Sequence, residues 1–322
     1  MAKMTINDLK GFVGTYVDNS MQAGEWNPST NNFVGMLDKI GKQITIDGDF
    51  NDPLPELTGD ELPLGKTIEE YFIDLTLPTD YDASGANAMA PHMPSVEDCA
   101  YSYSLGRKVI ATTERFDNIE RACNSAEVAG SVTAKIFERL RQSQTLYTYA
   151  CKKQLLANTI DNAKDSDHKD KLITSMALPT DTAKGEAFIK SVKGIVEDAK
   201  FANEGNSLGS ALIGATPMSS FVLYVKKGIM PSLEVDVEAG AFNGTKVALP
   251  CQIKVLDDFG DEDERVYALL VDTRGVKLHK GYEAIRDNVN GEGDFINYFE
   301  HSEYTGFISK NTFLHVWTTA ND

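Results

Sequence analysis

Residues 66–113, KTIEEYFIDLTLPTDYDASGANAMAPHMPSVEDCAYSYSLGRKVIATT, decide the architecture. The opening part, 66–77, carries Ile68 and Phe72 among its apolar residues and reads as a strand. The middle holds Pro78, Pro91, Pro94 and Gly85 with several small residues, which suits an extended tip and not a sheet. Residues 101–113 then return as a second strand. A hairpin with arms of about ten residues and a tip of about twenty protrudes, and an isolated two-stranded ribbon is marginal in water. The reading therefore predicts a ribbon completed by a partner.

Downstream, residues 117–159 read as helix. Phe116, Ile119, Ala126, Ala129, Val132, Ile136, Leu140, Leu146, Ala150 and Leu155 recur mostly at spacings of three, four or seven. Asp117 with Glu120 resembles a capping box, and Asn124-Ser125 offers a restart after a break. A helix over 125–158, at ~1.5 Å per residue, is about 50 Å long. A compact globule of this length has a radius of gyration of only about 20 Å. The pattern implies an elongated body built along this helix. A second helix is expected over 182–202, with Phe188, Ile189, Val192, Ile195, Val196 and Ala199 as its apolar stripe and Gly205 closing it. Lys184, Lys190, Lys193 and Lys200 lie off the stripe and, interrupted by Glu186, Glu197 and Asp198, read as a solvated face. Residues 161–171, DNAKDSDHKDK, read as a polar linker at a subdomain boundary.

The last third is β-rich. Strands are expected at 221–225, 247–256, 265–272 and 276–279, then near 307–309 and 313–318, with Gly260, Gly275 and Gly306 as punctuation. Residues 1–60 hold no helical period for long and read as an irregular arm that drapes over a neighbour or moves. The sum is an α+β chain.

Composition bounds the function. With 31 Lys+Arg against 48 Asp+Glu the net charge is −17, which argues against a free-standing nucleic-acid binder. The 42% apolar and 25% charged residues are ordinary for a globular chain. No apolar run approaches the ~18 residues of a membrane span, and the start, MAKMTINDLK, shows no secretory h-region. Cys99, Cys123, Cys151 and Cys251 form no C-x-x-C pair and read as reduced, mostly buried thiols. Asn243-Gly244-Thr245 reads as a turn and not as a glycosylation site.

Three leads to chemistry fail on spacing. GDELPLGKT, 59–67, has five residues between Gly59 and Gly65, one too many for a phosphate loop, and Pro63 lacks a donor where donors are needed. The acidic loop 257–264 matches no EF-hand and reads as a solvated hairpin tip, with a cation site left open. His92, His168, His279, His301 and His315 make no H-E-x-x-H, and no G-x-S-x-G accompanies them. No catalytic residue, cofactor site or metal site is expected. The late aromatics Phe295, Tyr298, Phe299, Tyr304, Phe307, Phe313 and Trp317 read as core or subunit contact.

The order of parts (irregular arm, projecting hairpin, very long helix, mixed lobe, terminal strands) resembles the major capsid proteins of tailed bacteriophages, with the fold named after coliphage Hong Kong 97. In wording, LPLGKTIEEYFIDLTLPTDYD (62–82), VYALLVDTRGVKLH (266–279) and FLHVW (313–317) are similar to major head proteins of short-tailed phages related to Bacillus phage phi29. The resemblance implies an N-terminal arm at 1–60 and an extended loop at 61–113 lying across an adjacent subunit. It implies a peripheral domain with a spine helix at 114–167 and 286–322, and an axial domain at 168–285. It further implies a structural protein, not an enzyme, assembling in pentamers and hexamers into an icosahedral or prolate head around double-stranded DNA. That DNA would be held without sequence-specific contact and without a membrane. A separate scaffolding protein and a portal are the implied partners, an extra immunoglobulin-like domain is expected to be absent, and the place is the virion, assembled in the host bacterial cytoplasm.

Contacts between copies are expected at Leu64, Ile68, Tyr71 and Phe72 on the loop and at Phe12 and Trp26 on the arm. An acidic lumen that repels phosphate would suit the net charge. Two other readings stay open. An encapsulin-type nanocompartment uses the same fold, and a monomeric α+β enzyme would need no partner for the hairpin.

Overall fold

A computed structural model of the chain describes residues 50–62, 67–73, 78, 80–81, 83–85, 89–91, 93, 96–115, 126–202, 205–209, 214–229, 249, 251–259 and 265–319. The chain divides into a larger unit (50–111, 140–287 and 298–322) and a smaller one (1–49, 112–139 and 288–297).

The larger unit is organised by a five-stranded sheet. Its strands are β5 (Ile173–Ser175), β6 (Phe221–Lys226), β7 (Gln252–Leu256), β8 (Val266–Asp272) and β11 (Leu314–Thr318), ordered β5-β11-β8-β6-β7. Every residue of β8, VYALLVD, is buried, as a central strand covered on both faces requires. On one face Phe221, Leu223, Val225, Ala268, Leu270 and Trp317 pack against Phe188, Ile189, Val192 and Val196. Those four belong to α3 (Thr182–Asp198), whose N-cap Asp181 accepts from the Lys184 backbone N–H at 2.9 Å. Trp317 is fully buried there and donates to Ser191 Oγ at 2.9 Å. On the other face Val222, Tyr224, Leu269, Val271 and Val316 meet Leu155, Leu156, Ile160 and Ala163. These come from α1 (Ala126–Asp165), a 40-residue helix. Alternate side chains of each strand thus serve opposite helices.

A four-stranded sheet, ordered β1-β9-β10-β4, consists of β1 (Thr58–Glu61), β9 (Val276–Asn290), β10 (Phe295–Ile308) and β4 (Tyr103–Arg115). A third, two-stranded sheet pairs β2 (Ile68–Ile73) with β3 (Val96–Tyr101). In the smaller unit Asn290 Oδ1 accepts from the Glu292 and Gly293 backbone N–H groups and closes the β9–β10 turn, and Thr113 Oγ1 donates to Asn297 Oδ1 at 2.6 Å.

The expected return strand 101–113 is two strands. It breaks at Ser102, so that β3 stays with the ribbon and β4 joins another sheet. The expected linker 161–171 is helix to Asp165, followed by a single turn, α2 (Lys169–Leu172). Its buried residues Ala163 and Leu172 continue the inward stripe while the charged ones stay outside. The expected strand 276–279 runs on to Asn290. Within the expected arm, residues 50–60 contribute fully buried Leu54 and Leu57 and strand β1, which runs parallel to β9. Gly59 of the failed phosphate loop is in β1. A Cβ there would sit 2.6 Å from the His279 ring, so the glycine serves close packing.

Two predictions arise from this core. A Cβ at Gly275 would overlap the side chain of Thr312. Gly275→Ala is expected to cost about 1–3 kcal/mol in urea unfolding, with Thr312→Ala, which removes the hydroxyl nearest the new methyl, recovering part of it. His315 is buried, its Nε2 lies 2.9 Å from Thr174 Oγ1, and burial pushes its pKa down from 6.5 to about 4 against a smaller opposing pull from the Lys171 backbone. The unfolded chain therefore binds the proton first. Stability is full above about 6.5 and falls as pH drops towards 4, by about 3 kcal/mol in all. His315→Gln is expected to remove that part of the slope when unfolding is followed from pH 7 to 4.5.

Candidate functional site

The ribbon has two unlike faces, set by its register. Ile68 lies opposite Tyr101, Glu70 opposite Cys99 and Phe72 opposite Glu97; on the other face Glu69 meets Ala100, Tyr71 meets Asp98 and Ile73 meets Val96. Ile68, Glu70 and Phe72 are half-buried, and Phe72 packs against the α3-side core. Tyr71, Ile73 and Val96 are 65%, 62% and 55% exposed. The ribbon therefore turns one face to its own chain and leaves the other open.

Its root is fixed by a chain of hydrogen bonds. Glu70 accepts from Tyr101 Oη at 2.7 Å and from Ser309 Oγ at 2.5 Å. The Lys310 backbone N–H donates to Tyr101 Oη at 3.2 Å, and the Tyr101 ring meets Phe307 edge-on at 5.1 Å. Burial and the bond to Glu70 push the Tyr101 hydroxyl pKa up, which keeps it a donor. Beside this root, Asn158, Asn162 and Asp165 of α1 line a 620 Å³ groove with Tyr103 and Lys310. Residues 61–101 hold eight Asp and Glu against Lys66 alone, so this part of the sequence is strongly acidic.

Sequence reasoning missed a buried cation. Lys152 is fully buried in α1, paired with Asp52, and it donates to the Leu54 carbonyl at 2.7 Å and Thr58 Oγ1 at 2.6 Å. A single lysine in a helix gives no pattern to detect, because its partners are about a hundred residues earlier in the chain. The acidic loop is partly accounted for. Asp257 and Asp258 pair with Lys153 at 3.0 and 2.9 Å, and Tyr149 Oη donates to Asp257 at 2.8 Å. Partial burial pushes the Asp257 pKa up, but the bonds from Lys153 and Tyr149 outweigh it and lower it to about 2. Residues 260–264 lie outside the described residues, and among the described residues no three His, Cys, Asp or Glu side chains are grouped to hold a metal.

Of the six expected contact residues, Tyr71 lies on the open face, while Ile68 and Phe72 face their own chain. Leu64, Phe12 and Trp26 lie outside the described residues. Ile73 and Val96 complete the open face and were not singled out from the sequence. Strict alternation along 68–73 was the signal, because neighbours such as Tyr71 and Phe72 never share a face.

The described residues form a mixed helix-and-strand protein whose ribbon leaves Tyr71, Ile73 and Val96 exposed on one face. Its fold is one shared with phage capsid structures. It is similar to the capsid structure of Staphylococcus phage Andhra, with a TM-score of 0.67 at 13% identity over 86% of each chain. It is also similar to the mature capsid asymmetric unit of bacteriophage PhiM1, with a TM-score of 0.59 at 9% identity, covering 87% of this chain and 90% of that one. The family model for the Phi29-like phage major capsid protein matches residues 14–318, and the chain belongs to that family of structural, non-enzymatic proteins. The major capsid protein of Bacillus phage PZA is 24% identical over 87% of this chain and 62% of its own length. That of Bacillus phage B103 is 23% identical over 83% of this chain and 59% of its own length. The chain thus spans about three-fifths of the length of these two relatives.

Proposed function

We propose that this chain builds the head of a tailed phage by self-association in pentamers and hexamers, giving an icosahedral or prolate shell around double-stranded DNA. In this reading the fold is the Hong Kong 97 type. Residues 61–113 form the extended loop, 114–167 and 286–322 the peripheral domain, and 168–285 the axial domain, with 1–60 as the arm. The exposure of Tyr71, Ile73 and Val96 supports it most directly, because a two-stranded ribbon with three large apolar side chains bare on one face gains stability when another surface covers them. Heterologous contacts of this kind close into shells, and many weak ones together make a strong lattice. Leu64 and Tyr71, with Phe12 and Trp26 of the arm, are the proposed contacts from the expected set; Ile73 and Val96 are added. A separate scaffolding protein and a portal are the proposed partners, and the host cytoplasm the proposed place of assembly.

Negative-stain microscopy of the purified chain, alone and with its scaffolding partner, tests this reading. Closed shells are expected. A monodisperse 35.3 kDa species under both conditions would overturn it.

A further inference from the structure

The larger unit contains a polar chamber in which one carboxylate oxygen has no partner. The chamber, 450 Å³, lies between α1 and the four-stranded sheet, with Arg141, Gln144 and Lys152 on the helix side and Glu283, Glu300 and Tyr304 on the sheet side. Glu300 is 1% exposed, and its Oε2 accepts no hydrogen bond from any described residue. The other charges facing it are engaged. Lys152 is saturated by Asp52, the Leu54 carbonyl and Thr58. Glu283 is held by Lys280 at 2.9 Å, and Gln144 Nε2 donates to Tyr304 Oη at 2.7 Å. Strand alternation puts His301 and Glu303 on the opposite face of β10, where Glu303 meets Arg107 at 3.8 Å. Arg141 is the remaining cation on the chamber wall. With no metal-holding group of three among the described residues, the ion that best neutralises Glu300 is a proton.

We propose that Glu300 is a proton switch at the joint between α1 and the β1-β9-β10-β4 sheet, neutral when the helix is seated and opposing that seating when ionised. Burying an ionised carboxylate without a partner is costly. Burial first, then the like charge of Glu283, push the Glu300 pKa above its ordinary 4.5, and Arg141 pulls the other way. The folded chain thus holds this proton more tightly than the unfolded chain. The contribution to stability is fully present below the unfolded value of 4.5 and is lost as pH rises through the folded one. The joint stiffens in mild acid and softens towards neutral pH. This is a property of the subunit and does not depend on shell formation.

Urea unfolding of the full chain between pH 5 and 8, compared across three variants, tests the switch. Glu300→Gln keeps the shape of the neutral acid. It is expected to raise the folding constant at pH 8 and to flatten the pH profile relative to wild type. Glu283→Gln should move the wild-type transition to lower pH, and Arg141→Gln to higher pH. Amide exchange over 140–152 should slow in Glu300→Gln at pH 8. A Glu300→Gln profile parallel to wild type overturns the proposal, as does a shift of the same sign in the two neighbour variants. A response to millimolar Mg²⁺ at fixed pH that Glu300→Gln abolishes also overturns it, in favour of a metal site.

Discussion

Ile73→Asp with Val96→Asp is expected to leave the subunit folded and to stop it forming shells. The two side chains face each other across the ribbon on its open side, 62% and 55% exposed. Polar replacements at such positions typically change a subunit's own stability by about 0.5 kcal/mol or less. Under a neighbouring copy the same positions lose their water. Each apolar side chain, already partly covered, then contributes about 1–2 kcal/mol by burial, and each aspartate in its place would have to be desolvated instead. In the proposed shell every subunit would both give and receive this contact, and the loss would recur at every position of the lattice. Phe72→Asp is the contrasting control. Phe72 packs against its own α3-side core, so that variant should weaken the subunit itself. Urea unfolding separates the two effects, and microscopy with light scattering reads assembly. Normal particles from the Ile73/Val96 variant would remove the ribbon from the contact.

The contrast between Tyr71 and Phe72 also marks how far the sequence could be read. Elements with a covered apolar face were plain. The VYALLVD run of β8 and the Phe188–Val196 stripe of α3 announce themselves because burial there is purely apolar. α1 was legible as a helix, but only part of its buried surface was. Leu140 and Leu155 of the expected pattern are buried, Leu146 and Ala150 are exposed, and Gln144, Lys152 and Thr159 are buried without being apolar. The helix turns a polar strip, residues 141, 144, 145, 148 and 152, to the chamber under the sheet, and hydropathy cannot detect that strip. Strand β9 failed for a related reason. Beyond Lys280 its two faces carry residues such as Glu283, Arg286 and Asp287 and are half-buried or exposed, and an alternating strand without an apolar face looks like loop. The existence of the ribbon, the helices and the core strands was thus readable. The polar interior was not, because its partners are brought together only by the tertiary fold.

Lys152→Ala is expected to be the most damaging single substitution in that interior, costing about 3–5 kcal/mol in urea unfolding. The ammonium group is the only described donor that ties Asp52, the Leu54 carbonyl and Thr58 to α1 at once. Removing it leaves the Asp52 carboxylate without its counter-ion, held only by the Leu54 backbone N–H at 2.9 Å, and takes a donor from the Leu54 carbonyl and from Thr58 Oγ1 at the edge of the core. It also frees the segment that carries Leu54 and Leu57, both fully buried, so amide exchange over 52–58 should accelerate with the loss of stability. The damage lies in orphaning Asp52, not in losing an attraction. Lys152→Met combined with Asp52→Asn should therefore recover most of the deficit, since an apolar side chain of similar length fills the space and no charge is stranded. If the double variant is as unstable as Lys152→Ala, the ion pair itself carries the stability and the desolvation argument is wrong. If Lys152→Ala is nearly neutral, water already reaches the site and the segment is held by Leu54 and Leu57 alone.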